Sequence, residues 1–154
     1  MLSLSQFQIK LSEQFISPAF SIEVTTPGNY VLAGRNSAGK SLLLTALAGN
    51  GKPVSGQRNA DVVIAEVSVE KQQALIEKEK QKDSADILDV IATPTRVFEL
   101  FAQTNADYHT HPLYEKLVHA LRIEHILDNA FLSLSTGETR KVLIVMAWLS
   151  NASL

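Results

Sequence analysis

The sequence predicts an α/β fold in which a glycine-rich loop joins a short strand to a helix. Three features support this class: alternating apolar and polar residues in two opening segments, a strand–loop–helix–strand pattern after them, and a helical middle without glycine. The 154 residues are 45% hydrophobic, which is enough for one domain with a substantial core and excludes wholesale disorder.

Two antiparallel strands are predicted at the start of the chain. Residues 4–11 and 19–25 alternate apolar and polar side chains, as strands with one solvated face do. The segment 26–29, with the sequence Thr-Pro-Gly-Asn, predicts the turn that follows.

The next part of the chain predicts a parallel strand–helix–strand unit. Apolar runs at 30–33 and 61–67 predict two short buried strands. Between them, residues 40–48 predict a helix that ends at Gly49, and the polar residues 50–59 predict a loop. Because strands joined by a crossover helix pair in parallel, this order predicts a parallel core sheet.

Beyond residue 68 the sequence predicts helices. Residues 70–83 carry eight charges, four of each sign, which predict a solvated helix face. Further helices are predicted at 84–92, 95–103, 112–121, 123–129 and 135–149. The last of these contains the apolar run 142–149, with Trp148 expected in the core. Because nothing follows to bury this helix, the sequence predicts an uncovered apolar face and a domain truncated at residue 154.

Charge and composition exclude several classes of protein. With 14 Lys and Arg against 16 Asp and Glu, the net charge of −2 argues against a protein that covers nucleic acid backbones. The absence of cysteine excludes disulfides and thiolate metal sites. No apolar run approaches the ~20 residues of a membrane span, and the start lacks the features of a signal peptide, so we expect a soluble intracellular protein.

The clearest motif matches G-x-x-x-x-G-K-[ST] without a gap. It consists of Gly34, Arg35, Asn36, Ser37, Ala38, Gly39, Lys40 and Ser41, followed by Leu42. The glycines let backbone N–H groups of such a loop point at phosphate oxygens, and the following helix adds its positive end. We therefore expect Lys40 to contact the β- and γ-phosphates of a nucleotide and the Ser41 hydroxyl to bind its Mg²⁺.

Other classes fit less well. A GTPase would carry D-x-x-G after the next strand and N-K-x-D later, and neither string occurs. A small-molecule kinase would carry an arginine-rich lid, whereas the arginines here are scattered. Asp107, His109 and His111 form a D-x-H-x-H string, but zinc needs a third or fourth ligand in fixed geometry, so we expect a flexible loop there.

A second candidate site is the segment Leu134-Ser135-Thr136-Gly137-Glu138. Ser135 followed three residues later by Glu138 is a capping box, which predicts the N-terminus of a helix. Taken alone, the segment is explained by helix capping.

Taken with the phosphate loop, the segment resembles the L-S-G-G-Q signature of ATP-binding cassette (ABC) ATPases, and Arg140-Lys141 stand where that family usually has a Gln-Arg pair. The run 134–141 is most similar to the first cassette of the tandem, ModF-like ATP-binding proteins associated with molybdate transport. The resemblance extends from the opening strands to the signature helix. It implies a P-loop NTPase core sheet of ABC type, with a small antiparallel strand pair and a helical subdomain.

The resemblance implies roles for particular residues. In that family the signature, here Ser135, Thr136, Gly137 and Glu138, faces the γ-phosphate of ATP held by a second cassette. Ser37 replaces a second loop glycine of the family, and Thr136 and Glu138 replace Gly and Gln. Glu138 would therefore bring a carboxylate near phosphate unless it caps its own helix.

Two further family positions have partial counterparts. A Gln-loop residue is expected after the strand predicted at 61–67, where Glu70 or Gln72 is available. An aromatic residue that stacks on adenine is expected upstream of the phosphate loop, where Phe15 is either that residue or a packing residue.

The resemblance also implies an organisation and a function. Residues 1–68 would hold the antiparallel strands and the phosphate-loop core, 69–133 the helical subdomain, and 134–154 the signature and a helix returning to the core. The Walker B Asp and the catalytic Glu of the family would follow residue 154, so the chain as written is expected to bind Mg-ATP without turning it over.

The parent protein would be an ATPase for import of an oxyanion such as molybdate, cytoplasmic and peripheral on the inner membrane. Its partners would be a second cassette and a membrane permease, with no nucleic acid. Two alternatives stay open. One is a soluble tandem ABC protein without a membrane partner, and the other is a non-enzymatic fragment that binds nucleotide weakly or docks on another protein.

Overall fold

The computed structural model describes residues 1–26, 28–85 and 93–150 and confirms the predicted α/β class. The chain divides into two compact units, Met1–Ile64 and Ala65–Ala152, and each is described by itself. In chain order the described elements are β1 (Leu2–Ser12), β2 (Phe15–Ile16), β3 (Phe20–Val24), α1 (Lys40–Ala48), β4 (Lys52–Ala60), α2 (Val69–Ala85), α3 (Val97–Thr104), α4 (Tyr114–Leu121) and α5 (Thr136–Leu149). Single 3-10 turns lie at Tyr108–Thr110, Glu124–Ile126 and Phe131–Ser133.

The first unit contains a four-stranded sheet whose pairings, among the described residues, are all antiparallel. The long strand β1 is central. β3 and β2 pair with it in succession along one edge, and β4 pairs with it along the other. β1 and β3 are the two opening strands predicted from the alternation, so the predicted antiparallel pair is confirmed.

A β-bulge near the middle of β1 determines which side chains face the core. Leu2 and Leu4 are buried before the bulge, and Phe7 and Ile9 are buried after it. The alternation of buried side chains therefore shifts by one residue at Gln6, which has a left-handed φ of 48°. The registers with both β3 and β4 are irregular at this point.

The segment predicted as a loop at 50–59 is instead mostly the strand β4. It pairs with β1 from Leu2–Ala60 to Lys10–Lys52. Because β1 offers a long free edge, the sheet imposes extended backbone on a polar sequence with weak strand preference. Gly56 accommodates the bulge, since its φ of 75° is left-handed and an added Cβ would collide with the carbonyl group of Gln6.

The two buried strands predicted at 30–33 and 61–67 are not formed. Both segments are irregular backbone, with Val31 92% exposed and Val63 58% exposed. A short aliphatic run becomes a buried strand only between flanking strands, and the described residues provide none for either run. The parallel strand–helix–strand unit is therefore absent from the described part of the chain. The predicted turn at 26–29 includes residue 27, which lies outside the described residues.

The helix α1 packs on one face of the sheet and is anchored at its C-terminus. Its bounds agree with the prediction, and Gly49 ends it with a left-handed φ of 78°. Ala46 is fully buried in the apolar cluster that α1 forms with β1. Arg58 Nε of β4 donates a hydrogen bond to the carbonyl oxygen of Leu47 at 2.9 Å. β4 therefore holds the last turn of α1, whose terminal carbonyls have no partner within the helix.

The second unit is helical, as predicted, and has an apolar core of its own. Its fully or largely buried members are Val97, Leu100, Phe101, Tyr108, Val118, Ile123, Ile126, Phe131, Val142, Val145 and Leu149. The helices α3 and α4 pack against the side of α5 that carries Val142, Val145 and Leu149, so the prediction that nothing buries this helix is wrong for that side. Trp148, predicted in the core, is 50% exposed, since the helical period turns it away from the buried side of α5.

Over residues 69–82 the helix α2 is charged and exposed except along one stripe, in agreement with the solvated face predicted for this part of the chain. The stripe consists of Gln72, Leu75, Ile76 and Glu79, which share one side of the helix. Ser84, predicted to cap the next helix, lies within α2, and the rest of that helix falls at 86–92, outside the described residues. The helix predicted at 123–129 is reduced to a 3-10 turn.

Among the described helices, none combines the length and the apolar character that crossing a bilayer requires.

Candidate functional site

The phosphate loop leads into α1 through two left-handed residues. Ser37 has a φ of 64° and Gly39 a φ of 86°, and the N–H of Ala38 donates to the carbonyl oxygen of Arg35 at 3.2 Å. Left-handed positions of this kind turn successive backbone N–H groups toward one side, which forms a concavity for anions. Because the left-handed region disfavours residues other than glycine by about 1–2 kcal/mol, Ser37 carries backbone strain.

The side chain of Lys40 folds over this loop. Its Nζ donates hydrogen bonds to the carbonyl oxygens of Gly34 at 2.9 Å and Arg35 at 2.7 Å. Both partners are neutral, so they orient the ammonium group without cancelling its charge. The first turn of α1, all of it described, contains no acidic residue. The charge of Lys40 therefore adds to the positive end of the helix dipole.

An open cavity of about 470 Å³ lies at the N-terminus of α1. It is lined by Asn36, Ser37, Gly39, Lys40, Ser41 and Leu42. Of the other residues predicted to bind nucleotide, Gly34 and Arg35 supply the carbonyl groups that hold Lys40, and Ala38 closes the turn. The donor set fits a magnesium–nucleotide, because an ammonium group and helix-end amides suit phosphate and a serine hydroxyl is a hard ligand of the kind that Mg²⁺ takes.

The second candidate segment is the N-terminus of α5, within the second unit. Ser135 is the N-cap: its Oγ accepts a hydrogen bond from the N–H of Glu138 at 3.3 Å. Glu138 Oε2 accepts in return from the N–H of Ser135 at 2.9 Å and from its hydroxyl at 2.6 Å. The predicted capping box is confirmed. Gly137 lies beside it, with open space where a Cβ would be added.

Of the two arrangements left open for Glu138, the structure has the one in which it caps its own helix. Hydrogen bonds from the hydroxyl and then the backbone N–H of Ser135 hold the pKa of the Glu138 carboxyl below its usual 4.5. His125 Nε2 lies 3.8 Å from Glu138 Oε1. The hydroxyl that the family resemblance assigns to phosphate is therefore already bonded to a carboxylate.

The other residues singled out in the sequence differ in their burial and contacts. Gln72 is only 3% exposed, and its Nε2 donates to the carbonyl oxygen of Thr136 at 3.2 Å, whereas Glu70 is exposed in the first turn of α2. Phe15 lies on β2 with 44% of its surface exposed, so it is not a core residue. His109 lies in a 3-10 turn, not a loop, with its ring centroid 3.7 Å from that of Tyr108.

The described residues contain no group of three or more His, Cys, Asp or Glu that could hold a metal ion. Two contacts that support the candidate segments leave no signal in the sequence: Arg58 with Leu47, and Gln72 with Thr136. The partners are 11 residues apart in the first contact and 64 in the second, so no local sequence pattern predicts either one.

An α/β fold with this loop at the start of a helix is the form of a P-loop nucleotide-binding domain. Within this class of P-loop domains, the family model described as ABC transporter matches residues 19–154 of the chain. The chain belongs to the ABC transporter family, and it corresponds to the ATP-binding domain of that family. Membership implies nucleotide binding, and the predicted kinship with ABC ATPases is confirmed.

Similar curated proteins carry several names. The chain is 30% identical over 156 residues to the ABC transporter ATP-binding protein ModF of Escherichia coli (strain K12), covering 99% of this chain and 31% of that protein. It is 27% identical to the zinc import ATP-binding protein ZnuC of Psychrobacter arcticus, covering 100% and 58%. It is 30% identical to the cytochrome c biogenesis ATP-binding export protein CcmA of Maricaulis maris, covering 97% and 64%. The chain thus spans between about a third and two thirds of the length of these relatives.

Solved structures share the fold. A metal-chelate type ABC transporter in an inward-facing conformation superposes with a TM-score of 0.61 at 20% identity, covering 98% of this chain and 57% of that one. The cbiO1 protein of Clostridium perfringens, part of the ABC transporter complex cbiONQ, superposes with a TM-score of 0.53 at 20% identity, covering 97% and 61%. The predicted fold of ABC ATPase type is confirmed.

Proposed function

We propose that this chain binds Mg-ATP at its phosphate loop and presents Ser135, Thr136, Gly137 and Glu138 to a second cassette. The observation that carries the proposal is the ammonium group of Lys40, which two neutral carbonyls hold at the open N-terminus of α1. On binding, the phosphates replace these carbonyls as partners of Lys40, and the charge of the triphosphate meets both the ammonium group and the helix end.

Within this site we assign the phosphates to the backbone of 34–41 with Leu42, and the Mg²⁺ to the hydroxyl of Ser41. The exposed ring of Phe15 is available for stacking on the adenine. We also propose the organisation expected from the sequence: 1–68 as strands and phosphate-loop core, 69–133 as helical subdomain, and 134–154 as signature and returning helix.

The test is a calorimetric titration of the chain with ATP and Mg²⁺. Lys40→Ala should weaken binding by about 10–100-fold, since hydrogen bonds to a charged group contribute roughly 1.5–3 kcal/mol. Lys52→Ala is the matched control, because Lys52 is an exposed lysine of the same unit on β4. Equal affinities for the two variants would contradict the assignment. A folded wild-type chain that binds no nucleotide would favour the module that only docks on another protein.

For the solute we propose an oxyanion such as molybdate, and we place the chain in the cytoplasm, peripheral on the inner membrane, where its partner is a membrane permease. The support is the run 134–141 and the similarity to ModF over nearly the whole chain. Deleting the coding sequence in its host should lower molybdate accumulation and leave zinc accumulation unchanged. The reverse result would indicate a cation importer, in line with the similarity to ZnuC. Unchanged uptake of both would favour a tandem protein without a membrane partner.

A further inference from the structure

The side chain of Gln72 joins α2 to the first residue of the signature helix. We propose that Gln72 is a positioning residue: its buried amide fixes Thr136, and with it the signature turn 135–138 that faces the ATP of a second cassette. This inference rests on the proposed function of 135–138 as a signature.

The position of Gln72 is unusual for a polar residue. It is only 3% exposed and shares the buried stripe of α2 with Leu75 and Ile76, which pack against the apolar core. Burying an amide is unfavourable unless it forms hydrogen bonds, and an apolar side chain of similar size would fill the same space without that penalty. Packing alone therefore does not explain a glutamine here.

The contact that Gln72 makes is directed at the signature. Its Nε2 donates to the carbonyl oxygen of Thr136 at 3.2 Å, and Thr136 lies between the N-cap Ser135 and Gly137. The capping bonds between Ser135 and Glu138 lie within the turn and fix its shape. The bond from Gln72 comes from another helix and fixes where the turn lies relative to α2.

The functional consequence follows from geometry. Hydrogen bonds to phosphate depend on the distance and direction of each donor, so a turn that shifts by a fraction of an ångström loses part of its affinity. Because one hydrogen bond contributes about 0.5–1.5 kcal/mol, loss of the anchor should weaken nucleotide-dependent pairing of cassettes by about 3–10-fold.

The experiment compares Gln72→Met with Gln73→Met. Methionine has nearly the length of glutamine but no donor, and Gln73 is the exposed neighbour on the same helix, which makes it the matched control. Three properties are measured: the urea midpoint of unfolding, hydrogen exchange of the Ser135 and Glu138 amides, and self-association of the chain with and without Mg-ATP. Gln72→Glu, which puts an acceptor where the donor was, extends the series.

We expect Gln72→Met to keep the urea midpoint and the affinity for Mg-ATP, to speed exchange of the two amides by about 3–10-fold, and to weaken Mg-ATP-dependent association by a similar factor. Gln72→Glu should speed amide exchange and weaken Mg-ATP-dependent association by factors at least as large as those for Gln72→Met. Exchange rates equal to those of Gln73→Met would overturn the proposal. The proposal would also be overturned if Gln72→Met failed to fold, or if a fall in its urea midpoint accounted for the weaker association. Either result would assign Gln72 a purely structural role.

Failure of the proposed function gives a different pattern. If the wild-type chain does not self-associate with Mg-ATP, the pairing of two copies of this chain is refuted, while exchange of the Ser135 and Glu138 amides still decides whether Gln72 anchors the turn.

Discussion

Replacing Ser37 with glycine should stabilise the phosphate loop. Ser37 has a left-handed φ of 64°, a region that disfavours an L-residue by about 1–2 kcal/mol and does not disfavour glycine. Part of this gain is offset by about 0.5–1 kcal/mol, because glycine has more freedom in the unfolded chain. We therefore expect Ser37→Gly to raise the free energy of unfolding by about 0.5–1 kcal/mol.

The assay is equilibrium unfolding in urea followed by far-UV circular dichroism, with Ser37→Ala and Ser37→Val as controls. Alanine meets the same backbone strain as serine, so its free energy of unfolding should lie within about 0.5 kcal/mol of wild type. Valine is β-branched and adopts a positive φ only with greater strain, so it should destabilise by more than about 1 kcal/mol. If Ser37→Gly proves no more stable than Ser37→Ala, the left-handed strain at this position is refuted.

Four further predictions concern the sheet, the signature turn and the helical core. In urea unfolding, Gly56→Ala should destabilise by about 2–4 kcal/mol, because the added Cβ meets the carbonyl group of Gln6 at a left-handed φ. Gly137→Ala, with open space around it, should stabilise by about 0.5–1 kcal/mol, and equal effects of the two changes would count against the bulge. The pKa of Glu138 is lower in the folded than in the unfolded chain. The contribution of its carboxylate to the free energy of unfolding should therefore be complete above about pH 4.5 and be lost as the pH falls through the folded pKa. Glu138→Gln should remove this part of the pH dependence of the urea midpoint, and an unaltered dependence would contradict the capping bond. Phe101→Ala, at a fully buried site, should destabilise by about 3–5 kcal/mol in the same assay, and a loss below about 1 kcal/mol would place Phe101 outside the core.

Features that depend on near neighbours in the chain were predictable from the sequence. The bounds of α1, its cap at Gly49 and the capping box of Ser135 and Glu138 each depend on contacts within a few residues. The loop at 34–41 belongs to the same group, since its glycines, lysine and following helix stand together in the sequence. The family resemblance and the proposed nucleotide site both rest on these local features.

Features that depend on distant neighbours were not predictable. The polar segment β4 is a strand because β1 pairs with it, and the aliphatic runs at 30–33 and 61–67 lack flanking strands in the described part of the chain. In the run 142–149 every position is apolar, so the sequence pattern does not indicate which side of the helix is buried. In the structure Trp148 lies on the exposed side.

Through the hydrogen bond from Arg58 to Leu47, the proposed nucleotide site depends on β4, a strand that contains none of the motif residues. α1 has nine residues, so a displacement of its last turn is transmitted over about 12 Å of rigid helix to Lys40. A natural variant that loses the guanidinium group of Arg58 would keep every letter of the phosphate-loop pattern while its lysine is held less firmly. A search for the phosphate-loop motif alone would therefore not distinguish such a variant from a chain that retains Arg58.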